Sequence, residues 1–344
     1  MCNICPRKRR PSLVPVCSHI DVRVSRPARC GSRNRLAVAR LARLARLASQ
    51  RYVGVMRLIR FGDAGAEKAG ILDADGVRRD ASAFGEDWNE AFFGTDGIRR
   101  LALWLQAHGT ALPDVAGGAR WASCVARPSK IICAGLNYRD HAAETGAAIP
   151  AEPILFGKAT SALAGPYDDL LMPPGATKCD WEVELAIIIG KRATLVPESE
   201  AMSYVAGYAL HNDYSERAFQ MERGGQWIKG KSWDTFAPLG PWCATVDEIP
   251  DPHALTLWLS VNGVRLQSSN TAQLIFNVPQ LVSYISHFMT LLPGDVISTG
   301  TPGGVGLGLK PPRYLVHGDV VELSVEGLGT SRQHAVAWEQ RPPI

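Results

Sequence analysis

Apolar positions along this chain follow different periods, and each period predicts a different kind of element. From 58 to 80 apolar and polar residues alternate, with Gly-Asp and Asp-Gly pairs between the runs, which predicts short strands of a small β region. Between 97 and 108 the residues Ile98, Leu101, Ala102 and Leu105 recur at helical spacing and predict an amphipathic helix. From 183 to 189 Val183, Leu185 and Ile187 to Ile189 make an almost unbroken apolar run that favours a buried strand. A helix-compatible stretch at 198–205 leads into a strand-like stretch at 207–210, and 271–292 supplies a helical interval. Gly-Asp-Val at Gly294 and again at Gly318 opens further short strands, while 113–118 and Arg127-Pro128 read as linkers. The expected class is a β-rich α/β chain with few long helices, split into a small N-terminal β-containing domain at 56–127 and a larger domain at 128–344. Periodicity does not name the topology.

Polar residues gather at a few points of this pattern. Glu182 and Glu184 stand at the mouth of the 183–189 run, and side chains two apart on a strand share a face. Two carboxylates so close repel each other, and a hard divalent cation bound through oxygen would offset them. A solvated edge strand would carry the same pair with no ligand. Asp213 follows an apolar segment, where a strand end would carry it. His141 and Glu144 are three apart and share a face on a helix. A His oriented by a carboxylate is a general-base arrangement, although ordinary surface pairs have the same spacing. The 226–241 segment sets Trp227, Lys229, Lys231 and Trp233 among Gly and Pro, so aromatic walls lie close to cations. His211, two before Asp213, is read as a hydrogen-bonded structural residue.

Composition narrows the function classes. At 344 residues the chain can bury a sizeable core, and no apolar run reaches membrane-spanning length. The net charge of +4 misleads, because the first 55 residues hold thirteen Arg or Lys and one acid, leaving −8 on the remainder. That acidic body has no basic stripe for nucleic acid. Residues 1–55 carry Cys2, Cys5, Cys17, Cys30 and an Arg-Leu-Ala repeat at 40–48. A transit peptide would have such an Arg-rich, acid-poor composition, and the cysteine spacing matches no standard zinc site. The preferred expectation is a true start at Met56, or failing that a disordered basic tail. Cys124, Cys133, Cys179 and Cys243 show no framework spacing, which suits a reducing compartment and a cytoplasmic protein.

Taken together, five motifs carry a resemblance. In order they are Gly-x-Asn-Tyr-x-x-His-x-x-Glu at 135–144, Asp-Trp-Glu-x-Glu-Leu at 180–185, Asn-Asp-x-Ser-x-Arg at 212–217, Gly-Lys-Ser-x-Asp-Thr-Phe at 230–236, and Gly-Asp-Val-Ile-Ser-Thr-Gly-Thr-Pro-x-Gly-Val-Gly at 294–306. This order resembles the fumarylacetoacetate hydrolase family over about 128–332. The start at 56–62 resembles the bacterial two-domain branch, and 215–220 with 224–227 is most similar to its 2,4-diketo-3-deoxy-L-fuconate and rhamnonate hydrolases.

The resemblance implies a mixed β-roll or sandwich, usually a homodimer, with Mg²⁺ or Mn²⁺ held by Glu182, Glu184 and Asp213. It implies His141 and Glu144 as a water-activating pair on a mobile lid, Lys231 beside the metal, and Thr301 in a substrate-binding loop. Arg217, Gln220 and Gln226 are the candidates for gripping a polar substrate chain, with Arg139 beside them. Lys229 lacks the Gly-Lys-Ser context and is read as a solvated or supporting charge. The implied reaction is hydrolysis of a carbon–carbon bond in a 2,4-diketo acid, with metal and Lys231 stabilising the departing enolate. The same site could serve a 5-carboxymethyl-2-hydroxymuconate isomerase, an oxaloacetate decarboxylase or a ureidoglycolate lyase, or remain in a non-catalytic metal-binding relative. Presence of the His-Glu pair favours hydrolysis.

Overall fold

The apolar run at Val183–Ile189 becomes the centre of the molecule: every residue of it is buried. In the computed structural model, which describes residues 56–108 and 112–341, this strand pairs antiparallel with Val205–Asn212 on one side and with Val296–Ser298 on the other. A strand covered on both faces needs apolar residues throughout rather than alternation, which explains the sequence pattern. The full sheet has ten strands. Its order runs Arg78–Asp80, Lys68–Leu72, Arg57–Phe61, Cys243–Thr245, Val205–Asn212, Val183–Ile189, Val296–Ser298, Ile131–Gly135, Ile154–Lys158, with Trp121–Ala122 beside Arg57–Phe61.

A second sheet of five strands runs Val264–Asn270, Thr256–Val261, Val320–Val325, Thr330–Ala337, Leu170–Met172. Here burial alternates along Thr330–Ala337, so one face meets the core and the other meets water. Its first hairpin turns at Asn262 and Gly263, both at positive φ, the pairing that suits a tight two-residue turn. Leu185 and Ile187 of the large sheet and Leu257, Leu259, Val321 and Leu323 of the small one belong to one apolar core. The fold is therefore β-rich mixed α/β, as the sequence predicts.

Local predictions hold where the signal is local. The 58–80 alternation forms the three strands Arg57–Phe61, Lys68–Leu72 and Arg78–Asp80, and the amphipathic stretch forms the helix Gly97–His108. Two expectations change. The helical interval at 271–292 contracts to the helix Val278–Ser286, because Asn270 and Asn277 each accept a backbone N–H and break the interval. Asn277 and Gln280 close a capping box that fixes the helix start. The 113–118 linker lies along Arg78–Asp80 through Val115 N–H to Arg78 O and Asp80 N–H to Pro113 O. Among the described residues no helix is long and apolar enough to cross a membrane. The expectations for residues 1–55 lie outside the described residues.

Candidate metal centre

Antiparallel pairing brings the three acids together. Val183 lies opposite Asn212 and Glu184 opposite His211, so the entry of one strand meets the exit of the other. Glu182, just before the first, and Asp213, just after the second, become neighbours, with Asp213 N–H donating to Glu182 O at 3.0 Å. Ligand oxygens of Glu182, Glu184 and Asp213 lie within 4.8 Å of one another, and all three residues are buried. The solvated edge strand is excluded for this pair.

Cations compensate two of the three acids. Lys231 Nζ donates to Glu182 at 2.7 Å and to Asp213 at 2.8 Å. Lys158 Nζ donates to the other Asp213 oxygen at 2.6 Å and to Tyr214 O at 3.1 Å. Arg217 donates to Glu182 at 2.7 Å, to Asp180 at 2.8 Å and to Gln220 at 3.1 Å. Burial alone would raise the Asp213 pKa, but Lys158 and Lys231 reverse this and hold it well below the usual carboxylate range. Glu184 has only neutral donors, the Ser298 hydroxyl and the Gly300 N–H. Burial, and then the charges of Asp213 and Glu182, push its pKa well above the ordinary value.

The balance of charge tests the fit of a metal. Asp180, Glu182, Glu184 and Asp213 face Lys158, Lys231 and Arg217, which leaves one buried carboxylate without a cation. Three clustered carboxylates are hard oxygen donors, the type that suits Mg²⁺ or Mn²⁺. The residues present fit a divalent ion.

His211 sits at the back of this cluster. Its Nδ1 meets the Ser298 hydroxyl at 2.7 Å, so Ser298 links it to Glu184. Burial lowers its pKa to about 3, so the ring is neutral at ordinary pH. Its Nε2 is buried without a partner among the described residues, and so are the Tyr138 hydroxyl and the Asn212 amide nitrogen.

The glycine-rich loop at 300–308 offers its N–H groups to carboxylates of the chain itself. Gly300 N–H serves Glu184 at 2.8 Å, Gly304 N–H serves Glu144 at 2.9 Å, and Gly306 and Leu307 N–H serve Asp180 at 2.6 and 3.0 Å. Gly300, at φ +100°, approaches Asn137 so closely that a Cβ would lie 2.8 Å from the Asn137 Cβ. Thr301 is buried, its hydroxyl donating to Val183 O at 3.0 Å and accepting from Gln267 at 2.8 Å.

His141 and Glu144 lie on the short helix Arg139–Thr145, with His141 Nδ1 and Glu144 Oε2 3.2 Å apart. Their side chains are 14% and 23% exposed, far wetter than the acid cluster. Asn137 anchors the start of this segment beside the cluster by donating to Thr299 O at 2.7 Å and Phe276 O at 3.0 Å. With Nδ1–H directed at Glu144, Nε2 is left as the acceptor.

The other predicted residues separate. Arg217 and Gln220 are buried and bonded to each other, whereas Gln226 is exposed in the 222–227 turn. Lys229 is exposed and donates to Arg223 O. Trp227 packs edge-on against Phe156 at 5.1 Å, and Lys231 Nζ lies 4.8 Å from the Phe156 ring centre. Sequence reading missed Lys158, although it is the single charge between Glu152 and Asp168. It also gave no role to Asp180, which ties Arg217 to the glycine loop, or to Ser298 and Gln267.

The fold thus carries a buried cluster of three acids, of the type that suits a divalent ion, and a His-Glu pair on a helix tied to the same glycine-rich loop. The family model for the fumarylacetoacetate (FAA) hydrolase C-terminal region matches residues 130–336, and the chain belongs to this family. It is 52% identical over 280 residues to a protein of Burkholderia lata described only as a hydrolase, covering 81% of this chain and 98% of that one. Among solved structures, maleylpyruvate hydrolase from Sphingobium sp. SYK-6, in complex with manganese(II) and pyruvate, is 32% identical at a TM-score of 0.67 over 82% of this chain and 99% of that one. A 5-carboxymethyl-2-hydroxymuconate delta-isomerase from Mycobacterium smegmatis is 33% identical at a TM-score of 0.64, with the same coverages.

Proposed function

We propose that this chain is a metal-dependent hydrolase that cleaves a carbon–carbon bond in a 2,4-diketo acid of the acylpyruvate type. The preferred substrate is a 2,4-diketo-3-deoxy sugar acid, split by water into pyruvate and a short hydroxy acid. The observation that carries this reading is the pairing of a buried Glu182, Glu184, Asp213 cluster with a His141 whose Nδ1 is engaged by Glu144. The likeness to a maleylpyruvate hydrolase holding manganese and pyruvate supports it.

Glu182, Glu184 and Asp213 would hold Mg²⁺ or Mn²⁺, which when bound supplies Lewis-acid polarisation of a chelated carbonyl. The chain's own residues do the rest. His141 Nε2 accepts a proton from water, and Glu144 steadies the imidazolium that results. The water oxygen bonds to the acyl carbonyl carbon, and the bond from that carbon to the methylene breaks. The electron pair goes to the pyruvate enolate, which is protonated at carbon to give pyruvate. Lys231, already between Glu182 and Asp213, lends positive charge to the developing enolate where water is excluded. Gln220, Gln226, Thr301 and Arg217 are assigned to the substrate side of this reading. Arg217 acts there by holding Glu182 and Gln220 rather than as an unengaged guanidinium.

The reading carries a cytoplasmic homodimer with it, from the resemblance alone, and light scattering tests the dimer. The deciding experiment incubates the full chain with a 2,4-diketo-3-deoxy sugar acid and with a simple acylpyruvate, each with Mn²⁺, Mg²⁺ or chelator. Metal-dependent pyruvate release is expected. Protein that binds the metal yet releases no pyruvate from either class would refute the hydrolase reading. The likeness to a delta-isomerase then makes double-bond isomerisation the next assay.

A further inference from the structure

One glycine of the loop has a task that neither its turn nor its backbone explains. A Cβ on Gly308 would lie 2.7 Å from Glu144 Cδ and 2.8 and 3.0 Å from its two carboxylate oxygens. Those three atoms, all at the end of one side chain, are its nearest neighbours. Gly308 does not have positive φ, so its backbone would accept another residue without strain. Gly303 also faces Glu144, but a Cβ there would lie 3.4 Å from Oε2, an ordinary contact; Gly304 and Gly306 differ. A Cβ on Gly304 would meet Leu266 O at 1.9 Å and one on Gly306 would meet Arg313 O at 2.0 Å, so those positions serve the path of the loop itself.

We propose that Gly308 is a positioning residue for the His141–Glu144 pair: its bare Cα and the Gly304 N–H together form the seat of the Glu144 carboxylate. The seat fixes which oxygen of Glu144 faces the imidazole, since Oε1 accepts from Gly304 at 2.9 Å while Oε2 meets His141 Nδ1. The helix Arg139–Thr145 has seven residues, too few to hold its own orientation without tertiary contacts. The other carboxylate on that helix cannot substitute. Asp140 is engaged by the His141 backbone N–H at 2.8 Å and by the Ser269 hydroxyl. The glycine loop thus sets both halves of the site, fixing Glu184 through Gly300 and Glu144 through Gly304 and Gly308.

The proposal rests on the hydrolase reading for its consequence in turnover, but its structural content can be tested without substrate. The ring ¹⁵N shifts of His141, assigned with His141→Gln, report which nitrogen carries the proton. Wild type should show the Nδ1–H form, and both Glu144→Gln and Gly308→Ala should lose it. Mn²⁺ affinity should stay at the wild-type value in Gly308→Ala. Turnover should fall about 10²-fold through kcat rather than KM. Retention of the wild-type ring signature in Gly308→Ala would overturn the proposal. If Gly308→Ala fails to fold, Glu144→Ala/Gly308→Ala decides: folding as well as Glu144→Ala alone supports the seat, and failure to fold refutes it. A wild-type protein that turns over no diketo acid would remove the functional reading and leave the ring-nitrogen result standing.

Discussion

Asp213 and Glu144 carry the same functional group in opposite settings. Asp213 is wholly buried and accepts from two lysine ammonium groups, with Lys158 and Lys231 on different oxygens. Glu144 is partly exposed and accepts from one backbone N–H and one imidazole. A buried charge loses its hydration and must be matched by opposite charge, so the acid cluster comes as a network in which each member depends on the others. A carboxylate near water needs no such match, and its position is decided by shape and a single donor. The two regions should therefore respond differently to mutation: the cluster in stability and metal affinity, the helix in turnover alone.

Four changes would break or sharpen that contrast. The largest effect is expected from His141→Ala, which should lower kcat by about 10²–10⁴. It should leave the Mn²⁺ titration and the melting curve unchanged; near-normal turnover would remove the proposed base. Lys158→Met strikes the opposite region and leaves Asp213 buried with one cation fewer. It should destabilise the metal-free protein by about 3–5 kcal/mol, measured by urea unfolding. An unaltered midpoint would mean that Lys231 alone compensates Asp213. Glu184→Gln should cost on the order of 10²-fold in Mn²⁺ affinity, with little loss of stability in chelator. An unchanged titration in that variant would refute the ligand assignment.

The smallest effects concern pH. His211 is neutral in the folded protein, with its pKa lowered by burial to about 3 from the ordinary 6.5. Its contribution to stability is present above about 6.5 and is lost as pH falls from there towards 3, by up to about 1.4 kcal/mol per unit. Glu184 runs the other way, because its pKa is raised above the ordinary 4.5 by burial and by Asp213 and Glu182. Its contribution is present below about 4.5 and is lost as pH rises through the folded value. Metal binding needs the ionised form, so the gain in melting temperature on adding Mn²⁺ should grow with pH. His211→Gln should flatten the acid arm of the chelated protein between pH 6 and 4 while sparing the alkaline arm. A melting profile with the same acid slope in that variant would assign the slope to another group.

Legibility in the sequence tracked the range of the interaction. The strands at 57–80, the helix Gly97–His108 and the buried strand Val183–Ile189 follow from neighbours along the chain, where periodicity operates. His141 and Glu144 were legible for the same reason, three apart on one helix. Lys158 and Asp180 were not, because their partners lie 55 and 37 residues away. A lone charge in an uncharged stretch was the available signal for Lys158. It pointed to burial but not to a partner.

The glycine loop divides the two kinds of knowledge most clearly. Its composition alone establishes that the backbone is free to take positive φ and to present N–H groups to anions. Which anions it receives was decided by the fold: Asp180 and Glu184 reach it from the 180–185 motif and Glu144 from the helix Arg139–Thr145. The sequence by itself determined which residues the candidate site draws on: three carboxylates, a lysine and a His-Glu pair, in an order shared with a family. Tertiary structure decided the register that brings Glu182 beside Asp213, the second lysine that balances it, and the seat that Gly308 leaves for Glu144. The reason is physical: periodicity reports which face of an element is apolar, whereas charge balance and close approach depend on distances set only when the elements pack.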